Sequence, residues 1–421
     1  MRRETFCKVV CLLSLFTLSA KASVASRKRD DDASCTLTAS GGDDAPQFLA
    51  AASSCGTVTI PLGTTLNIST RLNMTESSNL NINLQGTIRF NPDIPYWTGN
   101  SFFIPFQNSS TFWLLGGQNI VLSGGGTVGG AGQAWYDALP TNSTLLRPII
   151  LTLNQCNSVF VKNIRMLNSP NWFNLVNECT DVTYDNITIS AVSTSANFIA
   201  NTDGWDIYRS DSVTIQNSVI NNGDDCISFK PSPRTIFRVH ARQNLISSIP
   251  DSTNVLISNL SCNGSHGISV GSLGQFAGVF DIVENVTATN IRMTNTGNGP
   301  RIKAWAGENV GSGIVKNITF ANFALSKVVT PIAIDQCYET ATATCAEFPS
   351  NVIIQDLVFD NISGTGTGSQ VASLICSPDG RCSDISVNDL ELTGTGGTKF
   401  VCQNVALTGN SASLFGTCTT T

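Results

Sequence analysis

From about residue 158 onward the chain alternates apolar and polar residues over short runs, pauses at an Asn or Asp, and begins again. "SVFVKNIRML", "DVTYDNITIS", "SVTIQNSVI", "NVLISNLSC", "GIVKNITFAN", "NVIIQDLVFDNI" and "DISVNDLEL" all carry this phrase. A period of two marks strands with one buried face. The pause falls at Asn163, Asn186, Asn217, Asn259, Asn290 and Asn317, and Asp356 takes its place in the next unit. Irregular repeats of roughly 20–40 residues, each with two or three short strands, indicate a solenoid whose units bury their faces only by stacking. The pattern predicts an all-β chain, a right-handed parallel β-helix, with Asn stacked at one corner of successive coils as a hydrogen-bonded ladder. Asn-Gly turns, which a hairpin sandwich would need at regular spacing, are scarce.

Ahead of this region "DDAPQFLAAASSC" reads as a short helix, with Asp43 or Asp44 as cap and Pro46 in the first turn. It is expected to cover the open first coil. One interval breaks the rhythm. Asn217 and Asn259 are 42 positions apart, and the excess sits at residues 232–250, a basic stretch with Arg234, Arg238, His240 and Arg242. It is either a surface loop extruded between two coils or sequence foreign to the fold, such as a translated intron.

Composition fits this picture: hydrophobic residues make up 41% of the 421 and charged ones only 13%. The start, "MRRETFCKVVCLLSLFTLSAKAS", joins a basic end to an apolar run and then Ala20-Lys21-Ala22, the pattern of a cleaved export signal over 1–22. Arg27-Lys28-Arg29 closes a short pro-segment at 23–29, which leaves 30–421 as a single β-helix domain. No second long apolar run follows, so the mature chain is expected to be secreted, extracellular, free of the membrane and monomeric.

Cysteine usage suits an oxidising compartment. Of fourteen, Cys7 and Cys11 leave with the signal. Four close pairs read as local bridges: Cys35 with Cys55, Cys337 with Cys345, Cys376 with Cys382, and Cys402 with Cys418. Ten glycosylation sequons occur, at Asn67, Asn73, Asn108, Asn142, Asn186, Asn259, Asn263, Asn285, Asn317 and Asn361. No Cys/His cluster suggests zinc, and no metal or cofactor is expected. A net charge of −6 argues against nucleic acid as partner, and means that an acidic polymer would need a local basic patch.

Four segments carry chemistry: "NTDG" at 201–204, "GDD" at 223–225, "SHG" at 265–267 and "RIK" at 301–303. In a solenoid whose strands lie about 4.7–4.9 Å apart, such distant segments can line one groove. Asp224 and Asp225 are adjacent, so the strand must bend there for both to face it, and Gly223 is placed to allow the bend.

These four segments in this order resemble the signature of glycoside hydrolase family 28, the polygalacturonases. The likeness runs from about residue 35 to the C-terminus. "NTDGWDIYRS", "GDDCISFKP", "CNGSHGISVGSLGQ" and "RIKAWAG" are most similar to the fungal exo-acting branch. The resemblance implies hydrolysis of α-1,4-galacturonosyl bonds of polygalacturonic acid, in plant cell-wall pectin, with inversion, from the non-reducing end. It implies Asp224 as general acid, Asp203 and Asp225 as the pair that activates water, and His266 as the neighbour that holds the acid's protonation state. Crowding of three carboxylates is expected to keep one protonated. The resemblance also implies that Arg301 and Lys303 bind the substrate carboxylate, that Tyr338 contacts substrate, that Asn201 orients its neighbours, and that Cys226 bridges Cys262.

"CYETATATC" is a candidate wall closing the cleft for exo-action. Rival readings are an endo-polygalacturonase, a rhamnogalacturonan or xylogalacturonan hydrolase, a calcium-dependent pectate lyase, and a non-catalytic glycan-binding solenoid. The rhamnogalacturonan pattern has Asp-Glu at the paired site and lacks Arg-Ile-Lys.

Overall fold

The computed structural model describes residues 30–231 and 252–420. The export signal and pro-segment expected at 1–29, and the anomalous stretch 232–250 with His240, lie outside the described residues. The strands form one continuous hydrogen-bonded system in which each pairs in parallel with its equivalent in the next coil, a right-handed parallel β-helix. Phe102–Ile104 is an exception, folding back antiparallel on the strand Ser109–Ser123 as a hairpin.

Register explains the core. Val159, Val182, Val213, Val255, Val286, Ile318, Leu357 and Ile385 are successive partners, and all are buried. Branched aliphatic side chains stack on their like in the next coil, and burying each contributes about 1.5–3 kcal/mol. Phe320 and Phe359 stack in the same way, with ring centroids 5.5 Å apart.

The coils turn where Asn or Asp adopts a left-handed backbone, which short side chains bonding locally tolerate best. At one corner Asn163, Asn186, Asn217, Asn259, Asn290 and Asn322 lie in register, all with φ between +53° and +58°. Asn317 and Asp356, expected in that row, belong instead to a second corner with Asn254 and Asn285. The corners are five residues apart, so one phrase per coil merges two ladders into one. Five sequon asparagines stand in these rows with Nδ2 donating to the preceding coil: Asn186, Asn259, Asn285, Asn317 and Asn361.

The expected capping helix is Ala45–Ser54, with Phe48 buried edge-on against Trp113 at 5.7 Å. Asp44 occupies the cap position, but its carboxylate accepts from the Ser40 and Asn67 backbone, tying the helix to the coil below. Asp43 instead accepts from Ala45 N.

All five expected disulfides are present. Cys35 is bridged to Cys55, where the first strand meets the residue that ends the capping helix. Cys226 is bridged to Cys262, and Cys337 to Cys345. Towards the C-terminus Cys376 is bridged to Cys382, and Cys402 to Cys418. A sixth, Cys156 to Cys179, was not foreseen; it joins neighbouring coils beside the stacked Asn154 and Asn177.

The coils flanking 232–250 are in full register: Thr214 pairs with Leu256, and Asn259 Nδ2 donates to Asn217 Oδ1 at 2.8 Å. Removing those 19 residues would leave 23 positions between the two corners, the spacing that already separates Asn163 from Asn186. The deletion variant should fold with its bridges intact and unfold at or above the temperature of the full chain. Loss of folded protein on deletion would make the segment an integral loop.

Candidate active site

One face of the helix is a ladder of short strands: Asn174–Asn177, Trp205–Tyr208, Ile227–Phe229, Ile268–Leu273, Pro300–Trp305 and Ile332–Tyr338. The acidic segments are the bends that feed these strands. Their backbones are hydrogen-bonded to one another: Phe173 N to Asp203 O, Gly204 N to Asp225 O, and His266 N to Asp224 O. Stacking thus places residues from four coils side by side.

Asp224 and Asp225 both reach the cleft because they precede the strand, where side-chain alternation does not apply. The Asn222 amide pins the bend by donating to the carbonyls of Thr202, Asp224 and Asp225. Gly223 serves close approach more than bending. Its φ is not left-handed, and a Cβ there would lie 2.6 Å from Ile199 Cγ1 and 2.7 Å from Ile199 O.

Every expected site residue gathers here. Asp203, Asp224 and Asp225 each present an oxygen within 4.8 Å of the others. A pocket of about 230 Å³ is lined by these three with Asn201, Lys303 and Tyr338. Asp225 is buried and clamped: Oδ1 accepts from Ser269 Oγ at 2.8 Å and Arg301 at 3.0 Å, and Oδ2 accepts from Lys303 Nζ at 2.6 Å. Burial works against its ionised form, but Lys303 and Arg301 prevail and hold it well below the usual carboxylate range. Tyr338 lies beside both cations, its ring centre 5.1 Å from Lys303 Nζ and 5.9 Å from the Arg301 guanidinium.

His266 Nδ1 meets Asp224 Oδ1 at 3.2 Å, and Asn201 Nδ2 donates to the other oxygen at 3.3 Å. The hydrogen bond between His266 and Asp224 raises the imidazole pKa above its ordinary value. Asp224 itself is pushed up by burial, but the His266 contact brings it below the usual value. The raised carboxyl is Asp203: burial first, then Asp224, push it up to about 7 against the pull of Lys230. Burial more than crowding therefore favours a retained proton, and it does so at Asp203 and not at Asp224. With oxygens this close, that proton belongs to the Asp203–Asp224 pair rather than to either residue.

Sequence reasoning misses several residues that complete the site. Arg147 is buried and donates to the carbonyls of Pro170 and Ala200 and to Asn201 Oδ1 at 2.6 Å, fixing the amide that faces Asp224. Lys230 pairs with Asp203 and Asp206 and lies 4.5 Å from the Trp172 ring centre. A signal for it existed. Asp206 pairs with Ser228, and Lys230 is two residues further along that outward-facing row.

The profile of "Glycosyl hydrolases family 28" matches residues 52–414. The chain belongs to this family. It is 42% identical over 390 residues to an exopolygalacturonase of Cochliobolus carbonum, covering 88% of this chain and 83% of the relative. It is 40% identical over 398 residues to exopolygalacturonase X of Aspergillus niger, covering 90% and 87%. The endo-xylogalacturonan hydrolase of Aspergillus tubingensis superposes with a TM-score of 0.80 at 31% identity, over 92% of this chain and 99% of that one. As a member of family 28, the chain is a glycoside hydrolase.

The His266–Asp224 contact is open to direct measurement, since the chain has only two histidines. By NMR, His266 should titrate above about 6.5, the ordinary imidazole value, with His240→Gln assigning the signals. In Asp224→Asn the midpoint should fall. A midpoint unmoved by that substitution would mean the two side chains are not paired in solution.

Proposed function

We propose that this family 28 hydrolase is secreted and acts on polygalacturonic acid, releasing galacturonic acid from the non-reducing end with inversion at the anomeric carbon. Relatives at 40–42% identity bear the name exopolygalacturonase. The observation that carries exo-action is a bridge over the cleft. Gln107, at the tip of the Phe102–Ile104 hairpin, precedes its cleft strand, whereas Gln275 follows its own, so the two rise from opposite walls. Gln107 Nε2 donates to Gln275 Oε1 at 3.2 Å, and both line the pocket of the three acids. Glu339 and Tyr338 add a wall from the loop bridged by Cys337 and Cys345. A roofed cleft admits a chain end more readily than the middle of a polymer.

In this reading Asp224 protonates the leaving oxygen, and Asp203 with Asp225 holds the attacking water. Asp225 is a poor nucleophile because both oxygens are already engaged by Ser269, Arg301 and Lys303. A single water bonded to two carboxylates at about 2.8 Å each, at a near-tetrahedral angle, needs them about 4.6 Å apart. Asp203 and Asp225 each offer an oxygen within 4.8 Å of the other, which suits such a water. Arg301 and Lys303, with Tyr338 beside them, are the patch that receives a uronate carboxylate in an otherwise acidic chain. The same cations bear on the lyase alternative: the acidic cluster is neutralised by side chains of the protein itself. Activity should therefore survive chelation and give no ultraviolet-absorbing unsaturated product.

Product analysis on polygalacturonic acid decides the reading. Monomer should dominate from the first minutes, and proton NMR should show the β-anomer forming first from the α-bond. Early mixed oligomers would sink exo-action, and a first-formed α-anomer would sink inversion. Activity should fall at low pH, where a second proton adds to the Asp203–Asp224 pair, and again above about pH 7, as the pair gives up the proton it retains up to that point. A rate still rising through pH 8 would contradict this.

A further inference from the structure

Lys230 stands where a charged side chain has no structural need to be. It follows the strand Ile227–Phe229, and its side chain is almost wholly enclosed. Its ammonium lies 2.7 Å from Asp206 Oδ1, 3.3 Å from Asp203 Oδ2 and 4.5 Å from the centre of the Trp172 ring. Both carboxylates are buried. A lone cation between two buried acids is poor design for stability, because desolvation of three charges offsets most of their attraction. Such an arrangement points to a task in the cleft.

The hydrogen-bonding pattern indicates the task. Lys230 engages only one oxygen of Asp203, and Oδ1 has no hydrogen-bond partner among the described residues. Holding Oδ2 fixes the carboxylate plane and leaves the free oxygen beside Asp224 and Asp225 in the pocket. Asp206 has no such role open to it. It lies behind Lys230, fully buried, and its Oδ2 likewise finds no partner among the described residues. It is the anchor that keeps the ammonium in place.

We propose that Lys230, anchored by Asp206, is a positioning residue of the hydrolytic reaction: it orients the Asp203 carboxylate and sets the charge that carboxylate carries when water is activated. This deepens the function proposed above and rests on it. The charged groups facing Asp203 are Asp224, Asp225 and Asp206 on one side of the balance and Lys230, Lys303 and Arg147 on the other. His266 and Arg301 act one step removed, through Asp224 and Asp225. Lys230 is the one cation in direct contact with Asp203 among the described residues. Burial works against the ammonium, yet Asp203 and Asp206 hold its pKa well above the ordinary value. It stays charged throughout the working range.

The test is the pH dependence of kcat/KM on polygalacturonic acid. Lys230→Gln keeps a polar side chain but removes the charge, so Asp203 should hold its proton to higher pH. Both limbs of the profile should move up by about one pH unit or more. Lys230→Arg should leave the limbs where they are, whatever it does to the rate. A purely structural role would lower the amplitude of the glutamine variant without moving either limb, and that result would overturn the inference. If Lys230→Gln gives no folded protein, Asp206→Asn decides. Releasing Lys230 from its anchor gives its whole charge to Asp203, and the limbs should move down; limbs that stay or rise would overturn it. A wild-type enzyme without hydrolytic activity on this substrate would instead count against the function proposed above, so the two failures read differently.

Discussion

In-register stacking of backbone coils is the constraint on which both the fold and the chemistry depend. Each parallel pairing sets one corner above the next, so every coil repeats the geometry of its neighbour at a spacing that only the backbone determines. In the interior this selects residues that tile onto themselves, as the Val159-to-Ile385 row does. At the corners it selects Asn, which accepts a left-handed backbone and can bond its own kind in the coil below. On the cleft face it does something different. It forces unlike residues from four coils into contact, with backbone hydrogen bonds from Phe173, Gly204 and His266 setting the spacing. The carboxylates do not choose to be near one another; the ladder holds them there.

Holding them together has an electrostatic cost that the chain meets in three different ways. Asp225 is matched by two cations and a hydroxyl and stays ionised. Asp224 is matched by an imidazole that is itself partly open to solvent, so its partner can gain or lose charge. Asp203 is buried beside Asp224 and has only an ammonium that it shares with Asp206 to offset this, so of the three its carboxyl is the raised one. Three neighbouring acids thus end with three different proton affinities. That divergence is what acid–base chemistry on a glycosidic bond requires.

Much of this was legible in the sequence, and the reasons for what was not are specific. The β-helix, its capping helix and the four segments that line the cleft follow from local patterns that stacking leaves unchanged. Bridges between near neighbours, such as Cys376 to Cys382 and Cys402 to Cys418, were legible for the same reason. The merging of two Asn corners into one ladder arose because both corners use the same residue type five positions apart, and only register separates Asn317 from Asn322. The bridge from Cys156 to Cys179 escaped because the 23-residue coil that links them is visible only once the coils are aligned. Arg147 and Lys230 escaped for a related reason. Each acts on a residue more than 20 positions away, and a single basic residue before a proline or in a loop looks like solvent-facing charge. The bridge between Gln107 and Gln275 spans 168 positions and has no local signature at all.

The clamp on Asp225 has a consequence for substrate binding that geometry alone imposes. Arg301 and Lys303 are the cations proposed to receive the substrate carboxylate, yet in the structure both already bond Asp225. A guanidinium has five donors and an ammonium three, so they can share rather than exchange partners. Sharing still weakens their hold on Asp225, because each anion now competes for the same charge. Asp225 would then become more basic as substrate seats, at the moment when a proton must be drawn from water. Substituting either cation would lower affinity for the polymer, and it would also leave a buried carboxylate unpaired at a cost of about 3–5 kcal/mol. In the function proposed above, binding and catalysis are thus coupled through one buried carboxylate, which accounts for a basic patch beside the acids and not further along the cleft.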